Sequence, residues 1–187
     1  MEKLELTKFD KKKIAIFKEQ RQTIKRLWNI DQETAHLLYF WVKTYKPEHI
    51  LEIGSSNGYS TFWLAKAASY HSGLVETIEV DENRYKLAEE NLQGITNIQM
   101  HFGLAEKIIP GLTYQYQFVF IDAGKIGYVD YLKLLLDKLD KNAVIIADNV
   151  ISHRHSIQEY LQLIRKSDLF ETMTLAVGDG LEISIKK

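Results

Sequence analysis

One stretch constrains this chain's fold more than any other: His49-Ile50-Leu51-Glu52-Ile53-Gly54-Ser55-Ser56-Asn57-Gly58-Tyr59-Ser60-Thr61. It opens as a short apolar run, the pattern of a buried parallel strand. It then turns through Gly54 and Gly58 and enters Thr61–Ala68, whose apolar spacing is helical. Strand, glycine turn and helix form the first unit of a nucleotide-binding α/β sheet, with the turn's N–H groups and the helix's positive end facing a ligand. The spacing is E-x-G-x-x-x-G, and Ser56 stands where a dinucleotide-binding loop carries its middle glycine. That leaves a pyrophosphate less room to approach the backbone. No G-K-[ST] follows, which excludes a P-loop. The same residues also suit a purely structural tight turn.

At 187 residues the chain is expected to form one domain, residues 1–187, burying roughly 70% of its unfolded surface. The net charge of −1 favours neither nucleic acid nor its absence as a partner. With no cysteine, disulfides, thiolate catalysis and cysteine-ligated zinc are excluded. No apolar run reaches membrane-spanning length and the N-terminus lacks a signal-peptide core, so a cytoplasmic protein without membrane contact is expected.

Residues 1–30 read as an N-terminal extension, helical from about Lys11 to Trp28, with residues 31–187 as the core. Lys8, Lys11, Lys12, Lys13, Lys18, Arg21, Lys25 and Arg26 give the extension a basic face, which is either simply solvated or an arm for RNA or an acidic substrate. Asp31 is placed to cap a helix from Gln32 to about Thr44, striped by Ala35, Leu38, Tyr39 and Val42, and Pro47 separates it from the first strand. Further strands are predicted at Leu74–Val80, Ile98–Phe102, Phe118–Ile121 and Ala143–Ala147. Helices are predicted at Glu82–Leu92, Ala105–Ile109, Tyr128–Leu139 and Ser156–Ile164. Phe170–Val177 and Leu181–Ile185, joined through Gly178-Asp179-Gly180, read as a terminal hairpin that adds an antiparallel strand at one edge. Such alternation predicts a doubly wound, mostly parallel α/β sheet with helices on both faces.

In such sheets ligands bind beyond the carboxyl ends of the strands. The second strand ends in Glu79, 21 positions after Gly58, the spacing at which a carboxylate reaches ribose hydroxyls. The fourth strand ends in Asp122 and the fifth in Asp148-Asn149. Three hard oxygen donors from neighbouring strand ends suit Mg²⁺, Mn²⁺ or Ca²⁺ better than zinc. Each acid alone could equally be a cap or a loop hydrogen-bonder; their joint placement carries the signal. His153 and His155 follow closely and read as loop residues first and acceptor-pocket residues second. Tyr39, Phe40 and Trp41 read as helix packing.

The set E-I-G-S-S-N-G-Y-S-T, T-I-E-V-D, F-V-F-I-D-A-G-K, A-D-N-V and V-G-D-G-L resembles the class I S-adenosylmethionine-dependent O-methyltransferases, in particular the cation-dependent branch of catechol and caffeoyl-CoA O-methyltransferases. The resemblance runs from about Asp31 to the C-terminus and implies a Rossmann-like seven-stranded sheet. It assigns the loop of Glu52, Gly54, Ser55, Ser56, Gly58 and Ser60 to the cofactor's methionine part. It gives Glu79 and Val80 to the ribose, and the segment from Gly103 through Leu104 and Ala105 to Glu106 to the adenine. Asp122, which also borders the cofactor, joins Asp148 and Asn149 as metal ligands, and Lys125 becomes the general base. Leu104 replaces a frequent aspartate, and Gly124 replaces an acidic or aromatic residue, opening that wall. The chain between Asn149 and the last helix is short, so the acceptors of catechol and plant-type enzymes do not transfer.

The implied activity is metal-assisted methyl transfer from S-adenosylmethionine to a hydroxyl of a catechol-like or vicinal-dioxygen small molecule. A tRNA hydroxyuridine methyltransferase is the alternative. An NAD-dependent dehydrogenase or non-catalytic nucleotide-binding module is the reading from another class, and Ser56 argues against it. By analogy with relatives, a homodimer is expected.

Overall fold

A computed structural model describes residues 4–187 and contains seven α-helices and seven β-strands among them. In chain order these are α1 (Lys8–Thr23), α2 (Gln32–Tyr45), β1 (His49–Ile53), α3 (Tyr59–Ala68), β2 (Leu74–Glu79), α4 (Glu82–Leu92), β3 (Ile98–Phe102), α5 (Ala105–Ile108), β4 (Tyr116–Ile121), α6 (Tyr128–Leu135), β5 (Leu139–Ala147), α7 (Gln158–Lys166), β6 (Phe170–Leu175) and β7 (Leu181–Lys186). Side-chain caps start several helices. Thr7 and Asp10 form a capping box on α1, Asp31 accepts from Thr34 N at 2.7 Å, and Asp81 accepts from Arg84 N at 2.9 Å.

The strands form one sheet in the order β3-β2-β1-β4-β5-β7-β6. The first five are parallel, and β7 runs against both β5 and β6. Alternation on β4 shows why both faces are covered. Phe118 and Phe120 pack with Leu38, Tyr39, Phe62 and Trp63 from α2 and α3, while Val119 and Ile121 pack with Tyr128, Leu132 and Tyr160 from α6 and α7. Each such fully buried side chain stabilises the fold by roughly 1.5–3 kcal/mol. Tyr39 packs edge-on against Trp63, while its neighbour Phe40 is half exposed. The chain leaves β1 toward β2 and β3 and returns past it to β4, so the topological switch lies between β1 and β4.

Four details differ from the sequence reading. Helix α1 stops at Thr23, not near Trp28, because Ile24 is extended and Arg26 and Trp28 have left-handed backbones (φ +64° and +50°). Helix α6 stops at Leu135, and Leu139 instead starts β5 by pairing with Tyr116. Helix α7 begins at Gln158, two residues later than expected. The antiparallel strand is not at the edge: β7 is interior because Leu181, Glu182, Ile183 and Ser184 are all buried, and the more exposed β6 takes the edge. Of the basic residues from Lys8 to Arg26, Lys13 is buried and the others are exposed. Among the described residues no helix is long and apolar enough to cross a membrane.

Candidate active site

Beyond the carboxyl ends of β1, β2, β4 and β5 lies a cleft of about 630 Å³. Its walls are the loops that follow those strands, the segment after β3, the non-helical segment 27–30, and side chains of α4, α6 and the β6–β7 turn.

One half of the cleft is built around Gly54 and Glu79. Gly54 has φ +99°, and its N–H donates to the Ile78 carbonyl at 2.9 Å, tying the loop to β2. Ser56 takes up the left-handed conformation a glycine would adopt (φ +49°). Its N–H donates to Glu79 Oε2 at 2.8 Å and its hydroxyl donates to the Leu27 carbonyl. The other Glu79 oxygen accepts from the N–H groups of Val80 (2.9 Å) and Asp81 (2.8 Å) and lies 3.5 Å from the Arg84 guanidinium. Val80 and Leu104 line the cleft with half-exposed side chains, Gly103 donates to the Glu79 carbonyl at 2.9 Å, and Ala105 and Glu106 complete that wall.

Four of the proposed cofactor residues support the loop from below and do not line the cleft. Gly58 caps α3, Ser55 and Ser60 are buried, and Glu52 is wholly inaccessible. Glu52 Oε2 accepts from Thr77 at 2.6 Å and from Thr61, whereas Oε1 has no hydrogen-bond partner. Burial pushes this carboxyl up to about 7, against the lowering influence of the neighbouring Ser60, Thr61 and Thr77 hydroxyls. A carboxyl whose pKa is higher folded than unfolded holds its proton more tightly in the native state, so its contribution to stability falls as pH rises from about 4.5 through about 7. The Glu52→Gln variant is therefore expected to lose less melting temperature than wild type between pH 5 and pH 8. The stability difference should grow by up to about 3 kcal/mol. Parallel melting curves for the two proteins across that range would show this charge burial to be wrong.

The other half gathers the acids. The Asp122 N–H donates to the Ile53 carbonyl at 3.0 Å, which holds the end of β4 beside Gly54. Lys125 Nζ lies 3.4 Å from Asp122 Oδ1 and donates to the Tyr128 hydroxyl at 2.8 Å. That hydroxyl sits 3.2 Å from the carbonyls of both Ile121 and Asp148, which ties Lys125 to β4 and β5 together. Asp148 is almost fully buried, its Oδ1 accepting from Asn149 N at 2.7 Å. Asn149 has φ +65°, and its amide Nδ2 lies 3.4 Å from Asp179 Oδ2 in the β6–β7 turn. Burial raises the Asp122 carboxyl, opposed by Lys125. Asp148 is pushed up to about 7, first by burial and then by the charge of Asp122.

Asp122, Asp148 and Asn149 thus face one cleft with Gly54, Glu79 and Lys125, as the strand-end argument requires. Among the described residues no three His, Asp or Glu side chains stand close enough to cage a cation by themselves. His153 also lines the cleft; His155 does not.

The structure adds Trp28, Arg84, Ile126 and Asp179 to the walls. Trp28 is 70% exposed and lies against the Arg84 guanidinium, 5.1 Å from ring to cation, while Ile126 is 98% exposed. Only Asp179 had a sequence signal, the Gly-Asp-Gly turn.

A family model described as O-methyltransferase matches residues 9–187. The chain is 35% identical over 111 residues to a catechol O-methyltransferase of Niastella koreensis, in an alignment covering 56% of this chain and 50% of that protein. It is 26% identical to tapetum-specific methyltransferase 1 of Arabidopsis thaliana, over 90% of this chain and 84% of that one. The chain spans about half the length of the bacterial catechol O-methyltransferases it matches. Its fold is shared with an O-methyltransferase from Bacillus cereus solved in complex with SAH: TM-score 0.84 at 24% identity, covering 95% of this chain and 91% of that one. With the family model matching nearly the whole length, the chain belongs to the O-methyltransferase family.

Proposed function

We propose that the protein transfers the methyl group of S-adenosylmethionine to a hydroxyl oxygen of a small acceptor with two adjacent oxygens, such as a catechol, aided by a divalent cation. The observation that carries this reading is the junction of β1 and β4. There the cofactor loop and the acid cluster meet, with Gly54 packed against the Asp122 backbone and both lining one cleft.

The residues present fit both groups. Glu79, already satisfied by three N–H donors, is a preorganised acceptor for ribose hydroxyls, and the glycine loop leaves backbone beside it. Buried Asp148 and partly buried Asp122, whose charge raises Asp148, together with a hard amide oxygen, favour Mg²⁺, Mn²⁺ or Ca²⁺. When bound, a cation at Asp122, Asp148 and Asn149 would lower the pKa of an acceptor hydroxyl. Methyl transfer breaks the carbon–sulfur bond, whose electron pair stays on sulfur, and forms a carbon–oxygen bond. The attacking oxygen must first lose its proton. Lys125 is the side chain we assign to take that proton, since Tyr128 and Asp122 hold its amine at the cleft floor. For the sulfonium and the oxyanion to neutralise each other, the cleft must hold the two in line.

The test pairs binding with turnover. Calorimetry is expected to show S-adenosylhomocysteine binding and no NAD binding. A methyl-transfer screen of catechols, phenolic esters and hydroxyuridine tRNA, with and without Mg²⁺, is expected to show Mg²⁺-dependent methylation of a catechol. NAD binding without S-adenosylhomocysteine binding would overturn the cofactor. Full activity in excess chelator would remove the cation, and turnover of tRNA alone would replace the acceptor.

A further inference from the structure

Three amide side chains from three separate elements close a ring behind the cofactor loop. Gln20 of α1 accepts at Oε1 from Asn57 Nδ2 (2.9 Å) and Asn91 Nδ2 (2.8 Å), and its Nε2 donates to Asn91 Oδ1 (2.9 Å). Asn91 Nδ2, from α4, also reaches the Asn57 carbonyl at 2.8 Å. Asn57 is fully buried and sits in the loop between Ser56, whose N–H holds Glu79, and Gly58, which starts α3. Gln20 itself does not line the cleft.

The same stretch of chain grips the loop at two neighbouring points. The Ser56 hydroxyl donates to the Leu27 carbonyl, and Arg21 donates to the Ile30 carbonyl while lying 5.1 Å over the Tyr59 ring. Residues 56, 57 and 59 are thus all held from α1 and the segment behind it. The amide ring is the part most sensitive to loss. Asn57 Oδ1 already has no partner, so removing Gln20 would leave the rest of that buried amide unpaired. An unpaired buried amide is unfavourable, and the loop can relieve it only by shifting or by admitting water. A shift of the loop would move the adjacent Ser56 N–H away from Glu79.

We propose that Gln20 is a positioning residue for the cofactor, acting through Asn57 to fix the loop in its binding conformation. The proposal rests on the S-adenosylmethionine reading of the cleft. Gln20→Leu fills the space but cannot accept from either amide. It is expected to raise the Kd for S-adenosylhomocysteine and the KM for S-adenosylmethionine about tenfold, with kcat at saturating cofactor within about twofold of wild type. Gln20→Glu keeps an acceptor for both amides and should recover most of that affinity. Asp10→Asn removes the α1 ion pair to Lys66 (2.9 Å) away from the loop; it should lower the melting temperature and leave the Kd unchanged. A Q20L protein with wild-type Kd, or a D10N protein with an equal rise in Kd, overturns the role of Gln20. Failure of the wild-type protein to bind S-adenosylhomocysteine overturns the cofactor reading itself.

Discussion

Asp148→Asn is expected to lower metal-dependent methyl transfer by about 10³-fold, a loss of about 4 kcal/mol of transition-state stabilisation, while S-adenosylhomocysteine still binds. The substitution keeps the side chain's shape and an oxygen acceptor for the Asn149 N–H, now 2.7 Å away, but removes a charge. Asp148 is the more deeply buried of the two acids. Burial first and the charge of Asp122 second raise it to about 7. A buried like-charged pair of this kind is destabilising. The variant should therefore melt at or above the wild-type temperature at pH 8 in chelator, even as turnover collapses. Wild-type turnover by D148N, or equal activity of the wild type with and without chelator, would remove these acids from the chemistry. A variant that melts far lower would instead make Asp148 a structural acid.

How much of this site could be read from the sequence depended on how local its causes are. Glu79, Asp122 and Asp148 were legible because each ends an apolar run, and a parallel strand delivers its last residue to one rim whatever the rest of the chain does. The order of the five parallel strands' elements was legible for the same reason. The segment after α1 was not. Its I-K-R-L-W pattern continues a helical period, yet the Leu27 and Ile30 carbonyls are captured by Ser56 and Arg21, and the backbone turns left-handed at Arg26 and Trp28. Tertiary anchoring overrode local propensity there and turned an expected helix end into a cleft wall. Asp179 reaches Asn149 from 30 positions away through a hairpin tip, a contact no spacing rule encodes. The interior place of β7 follows from Glu182, a strand acid that looks solvated in sequence. It is buried because Arg165 and Thr174 satisfy both its oxygens.

Gly54→Ala is the second large effect, and it tests the junction on which the proposed chemistry depends. A Cβ at Gly54 would lie 2.2 Å from the Asp122 carbonyl oxygen and 2.8 Å from its carbon, with the backbone at φ +99°. Neither contact can be relieved by rotating a side chain, because both partners are main chain at the end of β4. The Asp122 N–H is bonded to Ile53 at 3.0 Å and Gly54 N to Ile78 at 2.9 Å, so β4 and β1 must separate where the acid and the cofactor loop meet. Strain of this kind costs about 3 kcal/mol or more, a fall of roughly 6–12 °C in melting temperature for a chain of this size. Cofactor affinity should fall at least about tenfold with it. Gly124→Ala is the matched control two residues beyond Asp122. Its φ is −58° and nothing lies within 4 Å of an added Cβ, so stability should stay within about 0.5 kcal/mol of wild type. If G54A matches G124A in both melting temperature and S-adenosylhomocysteine affinity, β1 and β4 do not meet as described, and the cofactor and the acids lose their common floor.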